Sequence, residues 1–425
     1  MVPLADLLAL VPASLLEKLA LAYQVDKANQ VRLTGPTVFV CLLNTLLNHA
    51  MVTQRLLQET FQRLTGKTVH YSSFSYRLGQ INPDYFDALF THVYRQVQTQ
   101  LTRADAPVLR QRIADATTVT LSAKLIAFGI RVARQAKAGR GAYDQRHVKS
   151  VLELAPEGLP RLLRVCEEQA EANDNLALGD PLIEQSLPGD FWTFDSGCFD
   201  RDRLLKIHQK QAFFLTPQHG QGLRTVRVLW EAPRTPEADA PPTPVGQPAA
   251  AGSGKAREPA PYRLLRVSLS VFENSYEALR PSRQAQWTDM PLLVFEGERF
   301  DVRSQQWKPL VLLTNLPLAE DGEHAGPYPF FEVPELYRRR WQIELLFKFL
   351  KQHLSYDHLT SRSENGIQVM IRMALIAAVL LIWYRQKSGI DRGWRSVKFW
   401  FAEDARDWCA QLLQRDLQQC LQPPT

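Results

Sequence analysis

Tyr337-Arg-Arg-Arg-Trp-Gln-Ile-Glu344-Leu-Leu-Phe-Lys-Phe-Leu-Lys351 is the stretch on which the reading of this chain turns. At about 100° per residue, Tyr337, Arg340, Glu344 and Lys351 fall within one arc about 60° wide. Leu336, Ile343, Leu346, Phe347, Leu350 and Leu354 form an apolar stripe beside that arc. The spacing predicts one long helix from Pro334 to about Leu354, docked on a sheet by the stripe. A carboxylate set among an arginine, a lysine and a tyrosine suits a site that takes a hard cation and phosphate together. It suits equally an i, i+4 arginine–glutamate pair on an exposed helix face.

Ahead of this helix the sequence is strand-like over Tyr262–Phe272, Leu292–Phe295 and Leu310–Thr314. Between residues 232 and 261, 19 of 30 positions are Pro, Ala or Gly, a bias that supports no core and predicts a disordered loop. Further upstream, Arg112–Leu121 is β-branched and reads as a buried strand. His147–Leu154 and Leu159–Cys166, joined by Ala155-Pro156-Glu157-Gly158, predict an antiparallel hairpin. A helix from Asn173-Asp174 to Ser186, a strand Phe191–Asp195, a helix Arg203–Lys210 and a strand Ala212–Thr216 complete a mixed α/β sheet. Residues 1–105 read as short helices, with Ser14 as the N-cap of Leu15–Tyr23 and others opening at Pro36, Thr53, Ser72 and Pro83. Nine Lys/Arg against seven Asp/Glu give this region a charge of only +2. A DNA-binding module and a purely structural bundle both fit it. The expected organisation is a helical N-terminal domain (1–105), the first part of a mixed α/β domain (106–221) and a β-rich insertion (222–333). The helix that completes that domain (334–360) and a helical C-terminal region (361–425) follow.

The 425 residues are 45% hydrophobic and 22% charged, the balance of a globular protein with a sizeable core. No secretory leader is legible at Met1, and the longest apolar run, Met373–Tyr384, is too short to span a bilayer. No membrane partner is expected. The five cysteines form no C-x-x-C pair, which argues against a zinc site or a disulfide framework and fits a reducing cytosol. Net charge is +6, and seven Lys/Arg between Lys124 and Lys149 face one acid, Asp144. Arg134, Lys137 and Lys149 in that run are candidates for phosphate contacts, although a solvated hairpin face would look the same.

Two aspartates stand where chemistry would need them. Asp115, in Ala-Asp-Ala-Thr-Thr, is a carboxylate inside a β-branched strand, costly there unless paired or bound to a metal. Asp195, in Phe-Asp-Ser-Gly, ends a short strand ahead of a helix, where a turn or N-cap role is also common. Nearby, Asp174 reads as a helix cap and Asp200 as a loop residue.

The spacing Y-x2-R-x3-E-x6-K resembles the signature of transposases of insertion sequence family 4, and Tyr337, Arg340, Glu344 and Lys351 fill all four positions. Leu312-Leu313-Thr314-Asn315-Leu316 resembles that family's last insertion strand, and Asp115-Ala-Thr resembles its Asp-x-Thr. The resemblance covers roughly Arg112–Leu354. It implies a ribonuclease H-like fold, with the first aspartate on the first strand and the second just after the fourth. A β-strand insertion would precede the glutamate helix.

It further implies that Asp115, Asp195 and Glu344 hold two magnesium ions, with manganese as a substitute. Water would first free a 3′-hydroxyl, which would then attack target DNA. Tyr337, Arg340 and Lys351 would contact the DNA backbone. The implied partners are double-stranded DNA, as terminal inverted repeats and target, and a second copy of the chain in a synaptic complex. The implied setting is the bacterial cytosol and its nucleoid. Some relatives carry, just before the Leu-Leu-Thr strand, a tryptophan that stacks on a flipped base. Here that position is Leu310, and Trp307 is the nearest candidate for DNA stacking. Two other functions fit the same residues: a metal-dependent nuclease without strand transfer, and a catalytically idle DNA-binding descendant of a transposase.

Overall fold

The computed structural model describes residues 2–27, 30, 32–102, 109–121, 129–131, 146–168, 171, 174–218, 222–232, 261–272 and 290–419. The expected loop over 232–261 lies almost wholly outside the described residues.

The chain opens with helices α1 (Leu4–Leu10), α2 (Ala13–Ala22), α3 (Gly35–Asn48), α4 (Gln54–Thr65), α5 (Tyr71–Gln80) and α6 (Pro83–Leu101). Strands β1 (Arg110–Leu121), β2 (Ile130–Arg131), β3 (Arg146–Leu154) and β4 (Pro160–Cys166) follow. Next come α7 (Asp174–Glu184), β5 (Asp190–Thr193), α8 (Arg201–Gln209) and β6 (Phe213–Pro217). The insertion supplies β7 (Leu223–Glu231), β8 (Tyr262–Phe272), β9 (Leu292–Asp301) and β10 (Gln306–Thr314), then the short β11 (His324–Ala325) and β12 (Tyr328–Pro329). Helices α9 (Val333–Arg338), α10 (Trp341–His353), α11 (Glu364–Ser388) and α12 (Trp394–Gln419) close the described chain.

These elements form two compact units. A helical unit takes in 1–106, 116–173 and 343–425, and a sheet unit takes in 107–115 and 174–342. In the helical unit, Thr34 caps α3 by accepting from the Thr37 amide at 3.2 Å, with Pro36 in the first turn. The expected cap at Ser14 is not formed. α2 starts at Ala13 behind Pro12, whose fixed φ suits a helix start without a side-chain cap. α11 extends well beyond Met373–Tyr384. By length and composition it matches a membrane span, yet its apolar window is 89% buried inside the protein, as in a core helix. The β3–β4 hairpin turns at Gly158, whose φ of 79° favours glycine, and its amide donates to the Ala155 carbonyl at 2.8 Å.

In the sheet unit, β1 pairs parallel with β5 and β5 parallel with β6. β10 then runs antiparallel to β6, and β9, β8 and β7 extend the sheet antiparallel. The expected mixed α/β fold is therefore met: a mixed sheet, further antiparallel strands ahead of the glutamate helix, and helical regions at both ends. Its core gathers Phe191, Leu215, Leu293, Phe295, Leu312, Phe330 and Leu336, all at most 5% exposed. Arg112 anchors β1. It pairs with the buried Asp190, donates to the Gln185 carbonyl at 3.1 Å and lies 3.9 Å over the Trp192 ring. A buried pair of this kind is costly to break because the partner charge is left uncompensated.

Register places the two aspartates. Ile113 pairs with Thr193, so Asp115 and Asp195 each lie two residues beyond a paired position on neighbouring parallel strands. Two residues on is the same face of a strand.

Candidate active site

Asp195 follows β5 and precedes a single 3-10 turn, Ser196–Cys198. Its side chain makes no capping bond to that turn, whereas Asp200 does cap α8 by accepting from the Arg203 amide at 3.0 Å. Capping at this corner is therefore supplied by Asp200, not a loop residue as expected, and the Asp195 carboxylate is left for another role. It accepts from the Tyr337 hydroxyl at 3.4 Å. Burial, and next the Asp195 charge, push the Tyr337 phenol up to about 12, so it stays protonated and acts as a donor at neutral pH.

Asp115 is half-buried and pairs with Arg340, its Oδ2 lying 3.3 Å from the guanidinium. Arg340 is itself buried, and lies 5.9 Å from the Tyr337 ring and 5.5 Å from that of Trp341. Two of the four signature residues thus bring the two aspartates into one polar network. Gln111 was missed by sequence reasoning. Its amide donates to the Leu336 carbonyl at 2.7 Å and to Thr193 at 3.1 Å, tying β1 to the residue before Tyr337. The available signal was a polar residue on the Asp115 face of a β-branched strand, two strand periods ahead of it.

The single helix expected over Pro334–Leu354 is broken. The Arg339 amide still bonds four residues back to Glu335, but Arg340 bonds three back to Tyr337 and Gln342 three back to Arg339. This tightening separates α9 from α10 and turns Arg340 inward onto Asp115. The 60° arc is corrected accordingly: Arg340 is buried, Tyr337 and Lys351 are half-buried, and Glu344 is exposed on the first turn of α10. The stripe of Leu336, Ile343, Leu346, Phe347, Leu350 and Leu354 is buried throughout, as expected.

The remaining candidates fare differently. Arg134 and Lys137 lie outside the described residues. Lys149 is on β3 and only 4% exposed, because its strand position faces the interior, and this removes it as a surface phosphate contact. Trp307 is engaged within the insertion sheet, against the expectation of DNA stacking. Its ring lies 4.3 Å from the Arg263 guanidinium and edge-on to Phe300 at 5.5 Å. Leu310 instead lines a cavity of about 560 Å³ in the sheet unit. Tyr262, Phe300, Trp341, Arg299, Arg303 and Arg338 also face it.

Among the described residues, no three His, Cys, Asp or Glu side chains stand close enough together to hold a metal ion. The donor set of Asp115, Asp195 and Glu344 is nevertheless all carboxylate oxygen, the chemistry a hard divalent cation takes.

Residues 302–380 match the family model described as a transposase DDE domain. A Synechocystis sp. protein assigned as transposase of insertion sequence element IS4SA is 44% identical over 70 residues, 16% of this chain and 20% of its own length. The transposase for insertion sequence element IS421 from Escherichia coli is 32% identical over 130 residues, 31% of each chain. The chain thus spans under a third of the length of these curated relatives. Among solved structures it is similar to a piggyBac transposase in a synaptic complex with hairpin DNA. That match has a TM-score of 0.42 and 10% identity, and it covers 99% of this chain and 80% of that one.

Proposed function

We propose that this chain is a cut-and-paste DNA transposase of an insertion sequence, hydrolysing the element's ends and transferring the freed 3′-hydroxyls to target DNA. The observation that carries the reading is the polar network in which Tyr337 and Arg340 engage Asp195 and Asp115. Residues of the signature meet the two aspartates that the same family reading named from 142 and 225 positions away.

Asp115, Asp195 and Glu344 are the residues that would hold two magnesium ions, or manganese in their place. Bound there, the ions would supply the positive charge that activates the attacking oxygen and stabilises the leaving oxygen of an in-line displacement. Arg340 keeps the Asp115 carboxylate oriented, since a guanidinium stays charged at any working pH. Tyr337 orients Asp195 by donation and contacts the DNA backbone. Lys351 steadies a flanking phosphate. The cavity at Leu310 sets arginines among aromatic rings, a combination that suits phosphates and stacked bases. Double-stranded DNA is the substrate, a second copy of the chain pairs the ends, and the setting is the bacterial cytosol. The domain roles follow the same reading: DNA binding by 1–105, catalysis by 106–221 with 334–360, and an insertion at 222–333.

Joining is the test, because a simple nuclease does not perform it. Full-length protein is incubated with a DNA ending in the element's terminus and a plasmid target. In magnesium the terminus should become covalently joined to plasmid, and a chelator should abolish the product. Cleavage without joined product would make the chain a nuclease.

A further inference from the structure

Lys398, on α12, is 7% exposed. Its ammonium donates to the His353 carbonyl at 2.6 Å and to the His49 carbonyl at 3.0 Å. His353 is the last residue of α10 and His49 is the C-cap residue of α3. At such helix ends the carbonyls lack intrahelical partners and partial negative charge collects, so a cation is well placed. One turn earlier on α12, Trp394 stacks on Phe349 of α10, the rings 4.1 Å apart and 29° from parallel. The C-terminal half of α10 is therefore gripped at two points one turn apart, by two residues one turn apart on α12.

We propose that Lys398 is a positioning residue, fixing the end of the helix whose first turn carries Glu344. The inference rests on Glu344 being a metal-holding residue. Glu344 and His353 are nine residues apart, about 14 Å along the helix, so a small tilt at the clamp shifts the carboxylate. Misplacement by about 1 Å is enough to cost roughly 100-fold in rate. The ammonium is held at a cost, since burial lowers the Lys398 pKa to about 8.

The test uses Lys398→Met and Lys398→Arg in the full chain, with Glu344→Gln in parallel. Cleavage of a terminus-bearing DNA is followed against magnesium concentration, and binding of the same DNA is measured without metal. Lys398→Met should cleave about 10- to 100-fold more slowly and need more magnesium for half-saturation, with DNA affinity within about twofold. Lys398→Arg, which keeps the charge, should recover most of the rate.

Wild-type cleavage should fall as pH rises through about 8, where the ammonium loses its proton, and Lys398→Arg should lack that fall. His49, His353, Arg395 and Glu403 share the cavity beside Lys398. Both histidines have pKa values lowered, chiefly by burial, and so are already neutral in this range. Wild-type cleavage by Lys398→Met at every magnesium level would overturn the proposal. So would a Lys398→Arg protein that keeps the alkaline fall. The pH comparison stands even if Lys398→Met does not fold. Cleavage by Glu344→Gln would instead refute the metal reading itself.

Discussion

Glu344→Gln should lower the rate of DNA strand cleavage at least about a thousandfold, a barrier increase of about 4 kcal/mol. The substitution keeps the shape of the side chain and removes the charge that a divalent cation needs. Glu344 is exposed on the first turn of α10, so the change removes little packing and Tm should hardly move. Binding to the element's ends should persist or tighten, since one negative charge is withdrawn from a surface proposed to meet phosphate. A glutamate serving only as a surface ion-pair partner predicts the opposite: cleavage near wild type and a small stability loss, typically under about 1 kcal/mol. A gel assay in magnesium on DNA carrying the terminus, with a thermal melt of the same sample, separates the two.

Asp115→Asn and Asp195→Asn should be as damaging as Glu344→Gln, and the double substitution should be little worse than either alone. Groups that hold one catalytic assembly act as a unit, so the first loss removes nearly all there is to lose. The two aspartates differ in one respect. Asp115 pairs with the buried Arg340, so Asp115→Asn leaves that guanidinium poorly compensated and should also lower Tm. Asp195 receives one neutral hydroxyl at 3.4 Å, and its amide variant should melt close to wild type. Additive losses across the double variant would mean that the aspartates act in separate sites.

What the sequence made legible was whatever local pattern controls. The apolar stripe from Leu336 to Leu354 predicted the buried face of the glutamate helix because burial follows periodicity. The β-branched run around Asp115 and the short apolar run before Asp195 predicted strands. Neighbouring parallel strands then bring the two aspartates to matching positions. The break at Arg339-Arg340 was not legible, since no glycine or proline marks it. It accompanies a pairing between Arg340 and a residue 225 positions away. Gln111 and Lys398 were hidden for the same reason, as both act on backbone carbonyls distant in sequence. β7 was overlooked although Val226, Val228 and Trp230 alternate along it. Those side chains are exposed, so the alternation does not mark a core face.

Changing the donor atom at Asp195 tests most directly whether that residue is a ligand for a catalytic metal ion. Asp195→Cys replaces a hard carboxylate oxygen by a softer sulfur, which magnesium accepts poorly and manganese better. Cleavage of a terminus-bearing DNA by wild type and Asp195→Cys would be measured in each metal. The variant should be inactive in magnesium and regain a substantial part of its activity in manganese, while wild type cuts in both. Equal activity of the variant in the two metals, or equal loss in both with DNA binding and Tm intact, would contradict that role.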